Sequence, residues 1–466
     1  MDQLAFLKIG NATCSPARER DGWGLALTTS SRAAAGAYDS ALMSLLSHRA
    51  DTLQHVDAAL AHDPEFALGF VIRGFALRLL ARADVLPQVR SALESAESAL
   101  ARRGGGTKRE RLLCQALRAF WAHDQAQAIE LLAHSMEAEP RCLLSMKLHH
   151  AICFMNGRLA DMRRATERSL ASVDESLPGY SFLVGCHAFV LEESHEFAAA
   201  ERLALRALAV RANDPWTYHA LVHVWTMQDR TTEGLSALRM REGRFPGANN
   251  FASHLAWHHA LFAVAEGEFD EALTIYDSEI VSTLLRDYRD LANCASLLFR
   301  LDRVGCAVGE RWHKLADWSA QREGDHLLAF ADVHQLLALL GAGRDEAARS
   351  YVQAMRTAVM QRLDAAALVT RAVGLPAAEG LLALYAGDGR AALRRLWPLA
   401  CRSAQLGGSE AQRELLEMFA IEAALAAGRE EVARDLLLQQ LALRPACRWA
   451  HRYGAALGGE RRSDGR

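Results

Sequence analysis

Apolar residues recur along this chain at three- and four-residue intervals, in short blocks separated by Asp-Pro, Glu-Pro, Asn-Asp-Pro or Gly-containing breaks. That period belongs to the amphipathic α-helix, and the breaks are helix stops. Before residue 33 the pattern is irregular: RDGWGLALTTSS carries turn residues and Trp23, which reads as exposed, and AAAGAYDSALMSLL starts the first clear helix. From there helices come in pairs. DAALAHDPEFALGFVIRGFALRLLA breaks at Asp63–Pro64 and holds Gly74 where close packing is needed; QAQAIELLAHSMEAEPRCLLSMKLHH has Ala128 and then Pro140; HEFAAAERLALRALAVRANDPW has Phe197, Ala200, Ala207 and Pro215. GEFDEALTIYDSEI, GRDEAARSYVQAM, GDGRAALRRLW and GREEVARDLLLQQLALRP continue the series to Pro445. One such pair cannot bury its apolar stripe alone, so neighbours must stack. The pattern divides the chain into an irregular segment at 1–32, a helical-repeat array at 33–455 and a disordered tail at 456–466. ARRGGGTKRERL, residues 101–112, is the expected flexible loop, and Gly407–Gly408 marks a second, with Ser409 placed to cap the helix that follows.

The units resemble the tetratricopeptide repeat: two antiparallel helices, a small residue within the first, Gly-x-aromatic-x-x-Ala entering the second and proline after it. The expected fold class is therefore an all-α, tetratricopeptide-like α-solenoid, degenerate because its period drifts from about 34 to about 41 residues. WTYHALVHVWTM, SHLAWHHALFAVAEGEFDEALTIYDSEI, GDHLLAFADVHQLLALLGAG, TRAVGLPAAEGLLALYAGDGRAAL and CRSAQLGGSEAQREL are similar to blocks of the tetratricopeptide repeat protein 38 family. RDGWGLALTTSS and LPGYSFLVGCHAFVLEESHEF fit the same pattern, so the resemblance runs from Arg20 to Pro445. It implies a helical-repeat protein and no particular reaction. Leu255 and Ala256 stand where similar proteins tend to carry a polar residue and an aromatic, so a ligand specificity need not carry over.

Composition narrows the function classes. The formal charge is −3, with no pole of either sign, which disfavours a nucleic-acid binder. Nine scattered cysteines without CxxC read as buried thiols of a reducing, cytoplasmic compartment rather than a disulfide framework. No run approaches the roughly 18 apolar residues a spanning helix requires, so no membrane partner is expected. There is no Walker loop, GxGxxG after a strand, GxSxG elbow or HExxH.

The candidate chemistry lies between Asn213 and Glu279. His219 with His223, and His254 with His258, are each four residues apart, which puts both imidazoles of a pair on one helix face. In a tetratricopeptide unit the first helix lines the concave surface, and that register aims both pairs into the groove. Four such nitrogens suit a divalent transition metal or acid–base work on a bound substrate. Asp332 and His334 extend the expected catalytic set, Asp332 as a carboxylate that orients an imidazole. His150, Trp225, Trp257, His326, Gln412 and Arg413 are the expected ligand-binding residues, the last two at a helix N-terminus that favours anions. Against this, HxxxH without the zincin glutamate is a weak metal signal, and helix-packed histidines commonly satisfy one ring nitrogen on a backbone carbonyl. His149 is expected to pack, and His187 and Cys186, being adjacent, diverge too far to form a dyad. Two functions follow: a His-lined pocket for a small molecule, with metal or acid–base chemistry, or an adaptor holding a peptide or partner helix in an open groove. Oligomeric state is left open.

Overall fold

The computed structural model describes residues 19–241, 245–281, 287–322 and 324–459. Its regular structure is helical, with no strand among the described residues beyond two isolated bridges, Arg20 to Ala26 and Arg49 to Ala248. Helices pack as consecutive antiparallel pairs: Arg32–Leu46 on Thr52–His62, Ala67–Arg78 on Leu86–Arg102, Lys108–Trp121 on Gln125–Ala138, Leu143–Met155 on Leu159–Ala171, Tyr180–Glu193 on Phe197–Val210. The same plan continues to Glu410–Ala426 on Glu430–Leu443, so the chain is an α-solenoid.

A single backbone device sets each pair. Two residues past the end of the first helix the chain enters the left-handed region, at His123, Gly157, His195, Asp229, Gly343, Gly387 and Gly428, and in the same turn at Gly267 and Gly305. One left-handed residue ends a helix and reverses the chain within a few residues. Three of these positions are His or Asp, which tolerate the conformation better than most side chains.

The two helices of a pair are buried unequally. Pro215–Met227 buries every residue except Thr226, whereas Phe197–Val210 buries only Ala200, Ala204 and Ala207. First helices are covered on their inner side as well, because the two ends of the solenoid wrap back over the groove. Arg300 donates to Ala411 O at 3.1 Å, Gly408 N to Phe154 O at 3.3 Å, and Glu410 N to Glu193 Oε1 at 2.9 Å. From the N-terminal side Asn249 N reaches His48 O at 2.7 Å and Ala83 N reaches Asp325 Oδ1 at 2.7 Å. Helix Glu410–Ala426 thus fills the axis that an open superhelix would leave free.

Several sequence expectations change here. Trp23 is buried, and its indole donates to Pro178 O at 2.7 Å, so the 19–31 segment is pinned to the array. Most of 101–112 is helical: Gly104, Gly105 and Gly106 make a left-handed turn, and a capping box of Thr107 and Glu110 starts the next helix at once. Ser409 does cap its helix, in a capping box with Gln412. The last helix, Arg448–Gly459, runs through the first residues of the expected tail; 460–466 lie outside the described residues, as do 1–18 of the irregular segment. One helix, Ala365–Tyr385, is long and apolar enough to cross a membrane by length and composition. It carries Arg371, bonded to the carbonyls of Val359 and Arg362, and Glu379, paired with Arg356 and Arg395 from its neighbours. Those pairings are of a helix packed among helices.

Candidate metal centre and its cavity

Asp214 and Pro215 start the helix that carries the first imidazole pair: the Asp214 carboxylate accepts from Trp216 N, and proline occupies the first turn, where its missing N–H costs nothing. Its neighbour, Phe251–Glu266, carries the second pair. The two helices pack side by side, and all four rings meet between them. Ring centroids lie 4.3 Å apart for His219 and His223, 4.8 Å for His219 and His254, 4.7 Å for His223 and His258, and 4.9 Å for His254 and His258. One nitrogen from each ring falls within 4.8 Å of one from every other. Tetrahedral zinc–imidazole bonds of about 2.0–2.1 Å need nitrogens roughly 3.4 Å apart, so modest ring rotations would close this set on an ion.

Hydrogen bonding sharpens the picture. His254 Nδ1 lies 3.0 Å from Asn293 Oδ1 and as an N–H donates to it, which leaves His254 Nε2 as a lone pair. That lone pair faces His219 Nε2 at 3.0 Å. His223 Nδ1 stands 3.4 Å from Glu192 Oε2 and 3.9 Å from Glu193 Oε1, close for an ion pair but outside hydrogen-bond geometry. Asn293 therefore stands where an outer partner of a metal-bound histidine stands, fixing one nitrogen of His254 and presenting the other, and Glu192 lies beside His223 without a hydrogen bond to it. Five of the eight ring nitrogens have no hydrogen-bond partner: His219 Nδ1 and both nitrogens of His223 and of His258. Buried polar atoms are nearly always satisfied, so this many orphans in one place fit a ligand-binding set.

Burial leads the electrostatics. It holds the His223 imidazole at about 4 and that of His254 at about 3, and pushes His219 and His258 well below the usual histidine value, with the His223 and His254 rings adding to the effect on both. All four are neutral at pH 7, the state that binds metal. Burial also raises the Glu192 carboxyl well above its ordinary range, helped by Glu193 and Glu410.

His219 and His254 form the floor of a cavity of ≈120 Å³. Its walls include Phe154, Trp216, Phe251, Tyr288 and Phe330, and it meets an outer groove of ≈1030 Å³ along His48, Lys147, Asn250 and Arg289. A separate cavity of ≈430 Å³ under the last helix has no histidine in its lining. Its arginines are committed: Arg444 to Asp229 and Glu414, Arg448 to Glu266, Arg452 to the carbonyls of Val264 and Ala265.

The other expected site residues divide. His150 lines the cavity, edge-on to Trp216 at 5.3 Å, while His149 turns away to Cys153. Gln412 also lines it, but its side-chain oxygen accepts from Ser409 N as part of the helix cap. Arg413 is spent on Gly408 O and Glu193 rather than on an anion. Trp257 is the wall behind the imidazoles, stacked on His254 and donating to Ser296 Oγ at 2.9 Å. Trp225 faces away and packs edge-on against Tyr218 in the core. Asp332, His326 and His334 do not join the cluster or line its cavity. Asp332 orients an imidazole, His326 at 2.8 Å, and accepts from Tyr351 Oη at 2.8 Å; His334 Nδ1 donates to Phe330 O one turn back at 2.8 Å. They are engaged away from the imidazole cluster: Asp332 faces Tyr351 of helix Asp345–Met360, and His334 bonds within its own helix. His187 bonds Thr166 Oγ1 at 2.9 Å, apart from Cys186.

Four cavity residues carry no motif: His48, Lys147, Arg289 and Asn293. Helical spacing links only Arg289 with Asn293, one turn apart on helix Tyr288–Arg303, while His48 and Lys147 come from other units. The one available sequence signal is for Lys147: the chain has only four lysines, Lys8, Lys108, Lys147 and Lys314, among 53 basic residues. No protein-family model matches the chain.

Proposed function

We propose that this protein is a small-molecule-binding helical-repeat protein whose closed groove holds a transition metal on His219, His223, His254 and His258. The observation that carries the reading is the convergence of four neutral imidazoles, three of them buried and His254 half-buried, with five unpartnered nitrogens. Imidazole sets favour zinc, copper, nickel or iron over magnesium or calcium. Asn293 orients His254, and Glu192 faces His223. Glu192, kept protonated by burial, would ionise beside a dication and offset part of its charge. With all four imidazoles as ligands a bound ion would be coordinatively closed: it would fix His219 and His254 in place at the cavity floor, where the aromatic walls receive the apolar part of a bound molecule. Descent of the repeats from the tetratricopeptide type, kinship with the tetratricopeptide repeat protein 38 family and a cytoplasmic location belong to the same proposal. The sequence blocks and the regular helix pairs support the first two, and the scattered free cysteines support the third.

The adaptor reading draws less support, because helix Glu410–Ala426 occupies the axis where a peptide would lie. Elemental analysis of the purified protein tests the metal: about one transition-metal ion per chain is expected, falling by more than tenfold in His219→Ala and His258→Ala. Loading the chelated protein with Co²⁺ should give the visible bands of tetrahedral cobalt. A protein that retains no ion, gives no cobalt bands and loses only thermal stability in those variants has packing histidines, and the proposal fails.

A further inference from the structure

The cavity has a second reactive wall. Lys147, on helix Leu143–Met155, is 7% exposed, and its ammonium group has no carboxylate within ion-pair distance among the described residues. Its Nζ donates to His48 Nε2 at 2.8 Å and lies 4.7 Å from the centroid of the Trp216 ring. Both cavities open onto it. A buried cation without a counterion is costly, and a lysine relieves the cost by giving up its proton. Burial is the main cause of its lowered pKa; Cys186 and Asp214 oppose the shift and Arg289 reinforces it.

Residue choice points the same way. The chain meets its other needs for positive charge almost wholly with arginine, and arginine is the better anion clamp. Arg289 already stands at this cavity, paired with Asp287. What lysine offers there, and arginine does not, is an amine able to become neutral and nucleophilic. His48 stacks on Trp216 at 5.4 Å, so its ring is held in place to exchange a proton with the amine.

We propose that Lys147 is an imine-forming amine that captures a small aldehyde or ketone with an apolar body in this cavity. The neutral Nζ attacks the carbonyl carbon, the C–N bond forms, and the carbonyl oxygen takes a proton to give a carbinolamine. The nitrogen lone pair then expels that oxygen as water, leaving a C=N bond; no electrons are gained or lost overall. His48 receives the proton leaving nitrogen and returns one to the departing oxygen. The step rests on the cavity being a small-molecule site but not on the presence of metal.

Reductive trapping tests it on the full chain at neutral pH, with benzaldehyde as probe and sodium cyanoborohydride as reductant, in chelator and again after zinc loading. Peptide mapping compares Lys147 with the exposed Lys108 and Lys314 in the same sample. Lys147 should be benzylated at least about tenfold faster than either, because a neutral amine attacks a carbonyl and an ammonium does not. Lys147→Arg, with an unchanged circular dichroism spectrum, should lose only that adduct. Labelling of Lys108 and Lys314 at equal or higher rates, or none at Lys147, overturns the proposal. Trapping in a protein that binds no metal leaves this inference standing and removes the metal; metal binding without trapping does the reverse.

Discussion

His223 and His334 show how differently two buried imidazoles are settled. Each is held at about 4 by burial, yet His334 donates to the carbonyl of Phe330 one turn away, while His223 faces Glu192 with neither nitrogen bonded. In the unfolded chain each protonates near the ordinary value of 6.5. The folded pKa is depressed, so the stability from burying the neutral ring is complete above 6.5 and is lost as pH falls from there toward about 4. In chelator, urea midpoints should therefore drop across that interval, each imidazole adding at most about 1.4 kcal/mol per pH unit. His223→Gln should flatten the profile, since glutamine takes up no proton. An unchanged slope would mean that His223 is already charged in the folded protein. The spacing of the two HxxxH pairs was enough to put these rings on common faces; nothing in the spacing distinguished them from His326 and His334, whose partners come from the local turn and a neighbouring helix.

Helices carry the site only as accurately as they pack. Helix Tyr180–Glu193 brings Glu192 to His223 by lying against Pro215–Met227, and the approach depends on Gly185: a Cβ there would overlap Thr217. Gly185→Ala should cost about 1–3 kcal/mol through overpacking, lowering Tm. It should also weaken metal retention, because the helix that carries Glu192 must back away. A variant with unchanged Tm and full metal content would show that this contact has slack. Lys147 was invisible at this scale for a related reason. It lies on an inner helix that reads as apolar, and only the loop bearing His48 and the helix bearing Arg289, from distant units, turn its position into a site.

Closure belongs to the whole molecule. Arg444 reaches from the C-terminal units to Asp229 and Glu414, all three side chains less than a tenth exposed. Removing one partner of a buried pair leaves charge without compensation. Arg444→Met should cost about 3–5 kcal/mol, whereas loss of the exposed pair of Arg434 with Glu430, by Arg434→Met, should cost less than about 1 kcal/mol. Denaturant titration of both variants against the parent checks the contrast. Comparable losses would mean that the junction is wetter than its burial implies.

Periodicity, small residues and helix stops were sufficient to predict stacked helix pairs and to put His219 with His223, and His254 with His258, on common helix faces, because these features act within one or two helices; aiming those faces inward took the resemblance to tetratricopeptide units. They could not say that the solenoid closes, that Glu410–Ala426 fills its axis, or that Lys147, His48 and Arg289 meet above the imidazoles. Those facts depend on small rotations from pair to pair that accumulate over the array. No local pattern encodes their sum, and contacts between residues two hundred positions apart decide it.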